Sequence, residues 1–320
     1  MPRGAAEVAE FVEPDEITFN VLSGRLSKDV KEAAVKMNRR SARYIVDCYY
    51  QLQQFRKASD NMQRAAEAAG EPTEVVEWFA GVHGRMENTI KGLLGKWAEN
   101  SLVGSWCMSQ FGVGPVISAG LLAHLDIDKV AGVGQIWSFA GLNPTVSWEK
   151  GCKIPWNAAL KTLCWKLSSC FLKFKARPQC VYGRAFEAYW LDRKRRNENK
   201  QYAELAAATL TKKKFTHTAT KTLYEEGTLP DGRILLQAQR WIAKMFLSHW
   251  FWVAWEAKHG TPAPLPYIFR DGGHRDLWAP PLHTPLPRND GPQVRVHTDV
   301  DAFLHAQGYP PQKPAAGSDE

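Results

Sequence analysis

Gly112-Val113-Gly114-Pro115 is a stretch whose residue types and spacing suit the holding of a phosphate. Two glycines around a valine permit a tight turn and let backbone come close to a partner. A proline fits the first position of a helix, where its missing N–H would be unpaired in any case. Such a helix start presents free amides and the positive end of the helix dipole, an arrangement that suits an anionic oxygen. Phosphate contacts of this kind position a protein on a nucleic acid without reading its bases. Val113 is expected to fill the space between the two helices of a helix-hairpin-helix. A second turn, Gly132-Val133-Gly134, opens another short helix.

The cations are concentrated. Between Gly151 and Glu226 stand 16 Lys or Arg against 6 Asp or Glu, in a chain of net charge +8. They include the runs Arg193-Lys194-Arg195-Arg196 and Lys212-Lys213-Lys214, preceded by Lys150 and Lys153 in a polar loop. A local positive field attracts polyanions, because neutralising phosphates releases condensed counterions. The competing reading is a solvated helical face with surplus cations.

The elements that must carry these residues are helical. Apolar positions recur every three or four residues from Ser27 to about Ala69, among them Val35, Ala42, Ile45, Tyr49, Leu52 and Phe55, and predict one long helix ended by Gly70 and Pro72. A second, from Thr73 toward Trp97, would fold back on it as an antiparallel hairpin arm. Short glycine-punctuated helices follow from Ser101, then a helix from Asn157 to Lys175 and a basic helical stretch from Val181 to about Gly227. The stretch from Asp231 to Gly260 is apolar around much of its circumference and reads as a buried or interface helix. Beyond Gly260 the prolines of TPAPLP and APPLHTPLP predict an extended tail. The expected fold is therefore mainly α, divided into a lead-in (1–26), a hairpin arm (27–100), a helix-hairpin-helix region (101–176), a basic and apolar helical region (177–262) and a Pro-rich tail (263–320).

Several functions are excluded or weakened. Even the apolar run from Trp241 to Trp255 is broken by Lys244, Ser248 and His249, short of the roughly 20 apolar residues a membrane span needs. The N-terminus lacks the apolar core of a signal peptide, so a cytoplasmic protein is expected. The six cysteines show no CxxC pairing, and reduced core thiols are expected rather than a zinc site. His249 and His274 read as packing and turn residues. No P-loop, HExxH or GxSxG pattern is present.

GVGPVISAGLLAHLDID (112–128), IWSFAGLNP (136–144), a polar basic loop and a helix beginning near Asn157 follow one another in a fixed order. Over about Met86 to Phe174 the chain resembles the insertion-sequence transposases that join a RuvC-like nuclease domain to a serine-bearing C-terminal domain, the bridge-RNA-guided recombinases. That resemblance implies DNA transposition or site-specific recombination, with a nucleophilic serine in the loop after the proline. Ser147 is the matching residue, although it sits one position short and is followed by Trp148 and Glu149 where the family carries serine and glycine. The RuvC-like domain itself, whose strand-end carboxylates hold two metal ions, has no counterpart upstream. Asp15, Glu16, Asp29 and Asp47 lie on a loop or on helices and are not read as metal ligands.

The sequence therefore predicts a sequence-independent DNA-backbone-binding protein with no evident cofactor, Mg2+ entering only through a partner nuclease. DNA or structured RNA is the expected partner, and the arm is expected to form a homodimer or higher oligomer. The alternatives are a non-catalytic architectural DNA- or RNA-binding protein of phage or mobile-element origin, and a helical protein-interaction module.

Overall fold

The computed structural model describes residues 28–212, 214–216, 218–288 and 294–309. The chain is mainly helical, as its periodicity predicts, and divides into two compact units at the Trp97–Ala98 junction.

In the first unit the long predicted helix is two: α1 (Lys28–Val35) and α2 (Arg39–Ala69). The break lies at Asn38, whose extended backbone lets its carboxamide oxygen accept from the Ser41 amide and start α2 afresh. Ser27 lies outside the described residues. Gly70, at φ +69, closes α2 by donating to the carbonyls of Ala66 and Glu67, and α3 (Glu74–Glu99) returns antiparallel. Arg56 Nε and Gln53 Nε2 donate to Glu87 across the hairpin at 2.7 and 3.2 Å, and Trp97 Nε1 donates to the Met37 carbonyl.

The second unit is built on α4 (Leu102–Ser109), α5 (Pro115–His124), α6 (Val133–Phe139), α7 (Ala158–Lys173), α8 (Val181–Glu198), α9 (Ala203–Lys212), α10 (Ala219–Glu225) and α11 (Asp231–His259). The helix α11 is the axis of the core: Ile234, Ala238, Ile242, Phe246, Trp250 and Val253 are all buried, and it packs on α8, α7, α6 and α4. The rings of Phe171, Phe246 and Trp278 surround Tyr182 with centroids 4.9 to 5.1 Å away. A smaller cluster of Ala206, Tyr224, Leu229 and Ile234 seats α9 and α10.

The predicted extended tail is corrected by this structure. After Gly260 the chain forms α12 (Tyr267–Arg270), then two three-residue strands, β1 (Asp276–Trp278) and β2 (Arg295–His297), paired in parallel, and α13 (Val300–Ala306). Its prolines do not leave it loose, because polar groups buried in the core hold it. Trp106 Nε1 and Gln110 Nε2 donate to the Pro281 carbonyl, while His283 Nε2 and the Leu286 amide meet the buried Glu256 carboxylate. Leu277, Trp278 and Ala279 are buried. Among the described residues no helix is long and apolar enough to cross a membrane.

Candidate nucleic-acid interface

The helices α4 and α5 are joined by Gln110 to Gly114. Gly112 stands at φ +89, which favours glycine, and a Cβ there would lie 3.1 Å from the Phe174 ring. Val113 is 5% exposed and fills the gap below the turn. Gly114 caps α5 in an extended conformation, with Pro115 at the first helical position. The α5 start is only partly accessible: Gly114 and Pro115 are half-buried, while Val116 and Ile117 are buried. At the second turn Gly132 caps the seven-residue α6, and added Cβ atoms at Gly132 and Gly134 would meet nothing within 4 Å.

The arginine run is largely taken up within the protein. Asp192 is 1% exposed and accepts from Arg195 at 2.9 Å and from Arg196 at 2.7 Å. Arg193 lies 4.4 Å over the Tyr189 ring and donates to the Tyr202 hydroxyl, and Lys194 lies over Trp190 and 3.9 Å from Asp231. These cations chiefly neutralise a buried carboxylate and cover aromatic faces. Lys212 and Lys214 are exposed, and Lys213 lies outside the described residues.

Lys150 and Lys153 are exposed on the loop after Pro144. Ser147 is exposed on the same loop and makes no hydrogen bond among the described residues; Trp148 beside it donates to the Cys152 carbonyl. No base is held against the Ser147 hydroxyl among the described residues, so the geometry does not by itself activate it. Asp29 and Asp47 are exposed helix residues, and Asp15 and Glu16 lie outside the described residues. His249 is buried in α11, and His274 is exposed in a turn with its amide bonded to the Ile268 carbonyl.

The structure brings together three cations that the runs of the sequence do not contain. Lys161 of α7 lies 3.8 Å over the Trp156 ring, and Lys244 of α11 lies 4.1 Å over the Trp137 ring. Burial, and then the charge of Arg240, lowers the pKa of both lysines. No carboxylate pairs with Lys161, Arg240 or Lys244 among the described residues. Like charges brought together without a counter-ion destabilise one another and raise the affinity of the place for an anion. The cluster adjoins the AGLNP segment: Gly141, at φ +65, packs so closely that a Cβ would meet Trp156 and Lys161 at 2.7 and 2.9 Å. The Asn157 amide donates to the Phe139 carbonyl, and the Asn157 side chain caps α7, which fixes Lys161 one turn in.

Sequence reading missed this cluster because its members are single residues on two helices, separated by about eighty positions. The available signal was that Arg240 and Lys244 stand four apart on one helix with no acidic residue between them. Like charges at that spacing cost about 0.2–0.5 kcal/mol. Arg240→Gln is therefore expected to hold or slightly raise the melting temperature at low salt, with the gain disappearing at high salt. Thermal melts at two ionic strengths check this, and a clear loss of stability would mean that Arg240 has a structural partner.

No family model, no curated protein and no solved structure matches this chain.

Proposed function

We propose that the chain binds the phosphate backbone of DNA without reading its sequence, as a nucleic-acid-binding module of the transposition or recombination type. The observation that supports this reading is that Lys161 and Lys244, each seated over a tryptophan, both feel the charge of Arg240, with no carboxylate paired to any of the three among the described residues. Lys150, Lys153 and the start of α5 add to the same chemistry. Three phosphate contacts give an affinity that falls with salt at a log–log slope of about −2.7, and further contacts steepen it. A gel-shift titration of duplex DNA and of structured RNA over a salt series tests it. Absence of any shift near about 50 mM salt rejects the reading.

Two substitutions separate the helix start from the cations. Gly114→Ala meets open space at φ −92, so it is expected to leave the fold intact and to weaken binding only where a backbone closely approaches the turn. Gly112→Ala, at φ +89 against Phe174, is expected instead to destabilise by about 1–2 kcal/mol. Melting and gel-shift measurements on both variants distinguish a binding turn from a merely structural one.

Ser147 is the nucleophile that the transposase resemblance implies, with metal-dependent chemistry supplied by a partner nuclease. Covalent capture of DNA by the wild type but not by Ser147→Ala supports catalysis. Intact binding without capture leaves an architectural protein.

The arm carries Val75, Trp78 and Phe79 at i, i+3 and i+4, exposed at 78, 65 and 44%. We assign this row to a second copy of the arm, since cyclic homodimers are the commonest assemblies. Sedimentation is expected to show a dimer that Val75→Glu/Trp78→Glu converts to monomer; an unchanged mass for the variant removes this role.

A further inference from the structure

A cavity of about 320 Å³ lies in the second unit beside the cation cluster. Small-ligand pockets have volumes of about 300–1,000 Å³. Nine Trp, Tyr and Phe side chains line it, among them Trp137, Trp241, Trp252, Phe269 and Trp278. Walls of this kind favour a flat ring, which gains stacking area without loss of conformational freedom.

Two of its lining residues carry buried donors without acceptors. Trp278 is 1% exposed, and among the described residues neither its indole N–H nor the buried Nε of Arg193 has a hydrogen-bond partner. The guanidinium of Arg193 has the Tyr202 hydroxyl and the Tyr189 ring as neighbours and pairs with no carboxylate among the described residues. Asp276, also at the cavity, is occupied by Arg295 and His297. Both nitrogens are shielded from the cavity as well as from solvent, so the aromatic walls rather than these donors select its occupant.

The cavity and the cation cluster share a wall. Trp137 lines the cavity, carries Lys244 over its ring and donates its indole N–H to the Lys244 carbonyl at 3.2 Å. Along α11, Arg240 and Lys244 alternate with Trp241 and Met245, which line the cavity. An aromatic slot beside cations that hold no carboxylate is the arrangement that takes a base together with its phosphate.

We propose that this cavity takes one unpaired nucleobase whose phosphate lies on the Lys161, Arg240 and Lys244 cluster. The phosphate half rests on the function proposed above, and the base half rests on the cavity alone. The protein therefore prefers single strands, or duplexes with an unpaired base, over intact duplex.

The test uses a thymidine oligonucleotide with one 2-aminopurine, alone and paired with its complement, together with AMP as the free nucleotide. The wild type is expected to bind the single strand more tightly than the duplex and to quench the 2-aminopurine on binding. Met245→Trp fills the cavity and Trp241→Leu removes a wall. Each variant, confirmed as folded by circular dichroism, is expected to lose at least about fivefold in single-strand affinity and to keep duplex affinity, since only an unpaired base is free to stack in the cavity. Equal affinity of the wild type for both forms, or unchanged single-strand affinity in both variants, overturns the cavity proposal and leaves backbone binding standing. Binding of AMP, abolished by Met245→Trp, in a protein that shifts no polymer supports a free nucleotide as occupant and rejects the backbone reading. No binding of AMP or of either oligonucleotide form overturns both.

Discussion

Neutralising the cluster as Lys161→Gln/Arg240→Gln/Lys244→Gln is expected to lower duplex affinity at least about 100-fold and to flatten the salt dependence by about 2.7 in slope. Each cation replaced removes one released counterion, about 0.9 in slope, and one charge-assisted hydrogen bond of about 1.5–3 kcal/mol. Every 1.4 kcal/mol is tenfold, so even partial engagement of three contacts exceeds the figure stated. The loss belongs to binding and not to folding, because no carboxylate depends on these three side chains among the described residues. Melting temperature is expected to change little, with the lost cation–aromatic contacts of Lys161 and Lys244 set against relief from Arg240. An unchanged affinity or slope, measured by gel shift over a salt series, would remove the cluster from the interface.

The same experiment on the arginine run is predicted to behave differently. Replacing Arg195 and Arg196 leaves Asp192, 1% exposed, without its cations, so that variant loses stability before its binding can be interpreted. This contrast shows which parts of the site were legible in the sequence. A run of four cations is conspicuous, but Asp192 stands immediately before it and the helix places that carboxylate three and four residues from two of them. Lys161, Arg240 and Lys244 are inconspicuous because only the packing of α7 on α11 brings them together. Fold class was legible because period-3.6 apolar stripes and glycine stops such as Gly70 and Gly260 are local signals. The break at Asn38 was not, because the apolar stripe runs through it and a single capping carboxamide decides it. The tail was misread for a related reason: proline forbids helix locally, yet Trp278 and the Pro281 carbonyl are held by partners on α8, α11 and α4, distant in sequence.

Acid is expected to unfold the second unit through His249, beginning well above the carboxylate range. The Trp278 carbonyl can only accept, so His249 Nε2 carries the proton and donates to it at 2.9 Å. Nδ1 is then the acceptor, and the Tyr182 hydroxyl donates to it at 2.6 Å. Burial pushes the His249 pKa down to about 3, against a smaller upward pull from that carbonyl. The folded protein therefore holds a neutral ring where the unfolded chain, with its ordinary value of 6.5, takes up a proton. A depressed folded-state pKa contributes stability that is complete above pH 6.5 and is lost as pH falls from 6.5 toward 3. Between pH 6.5 and 5 this amounts to about 2 kcal/mol, at 1.36 kcal/mol per unit.

Glu87 and Asp276, both held below their ordinary values of 4.5 and 3.8, act in a lower window, which leaves the first fall to the histidine. His249→Phe keeps an aromatic ring but cannot titrate. It is expected to cost about 1–3 kcal/mol at pH 7, because the Tyr182 hydroxyl and the Trp278 carbonyl lose their partner. It is also expected to flatten the dependence between pH 6.5 and 5. Urea melts followed by tryptophan fluorescence at pH 7, 6 and 5 measure both effects. A variant as acid-sensitive as the wild type would place the titrating group elsewhere. Protonation falls on Nδ1 and costs the Tyr182 bond, while the Nε2 proton stays on the carbonyl of Trp278, a wall of the aromatic cavity. Single-strand affinity is thus expected to fall only as the folded fraction falls with pH, and to do so less steeply in His249→Phe.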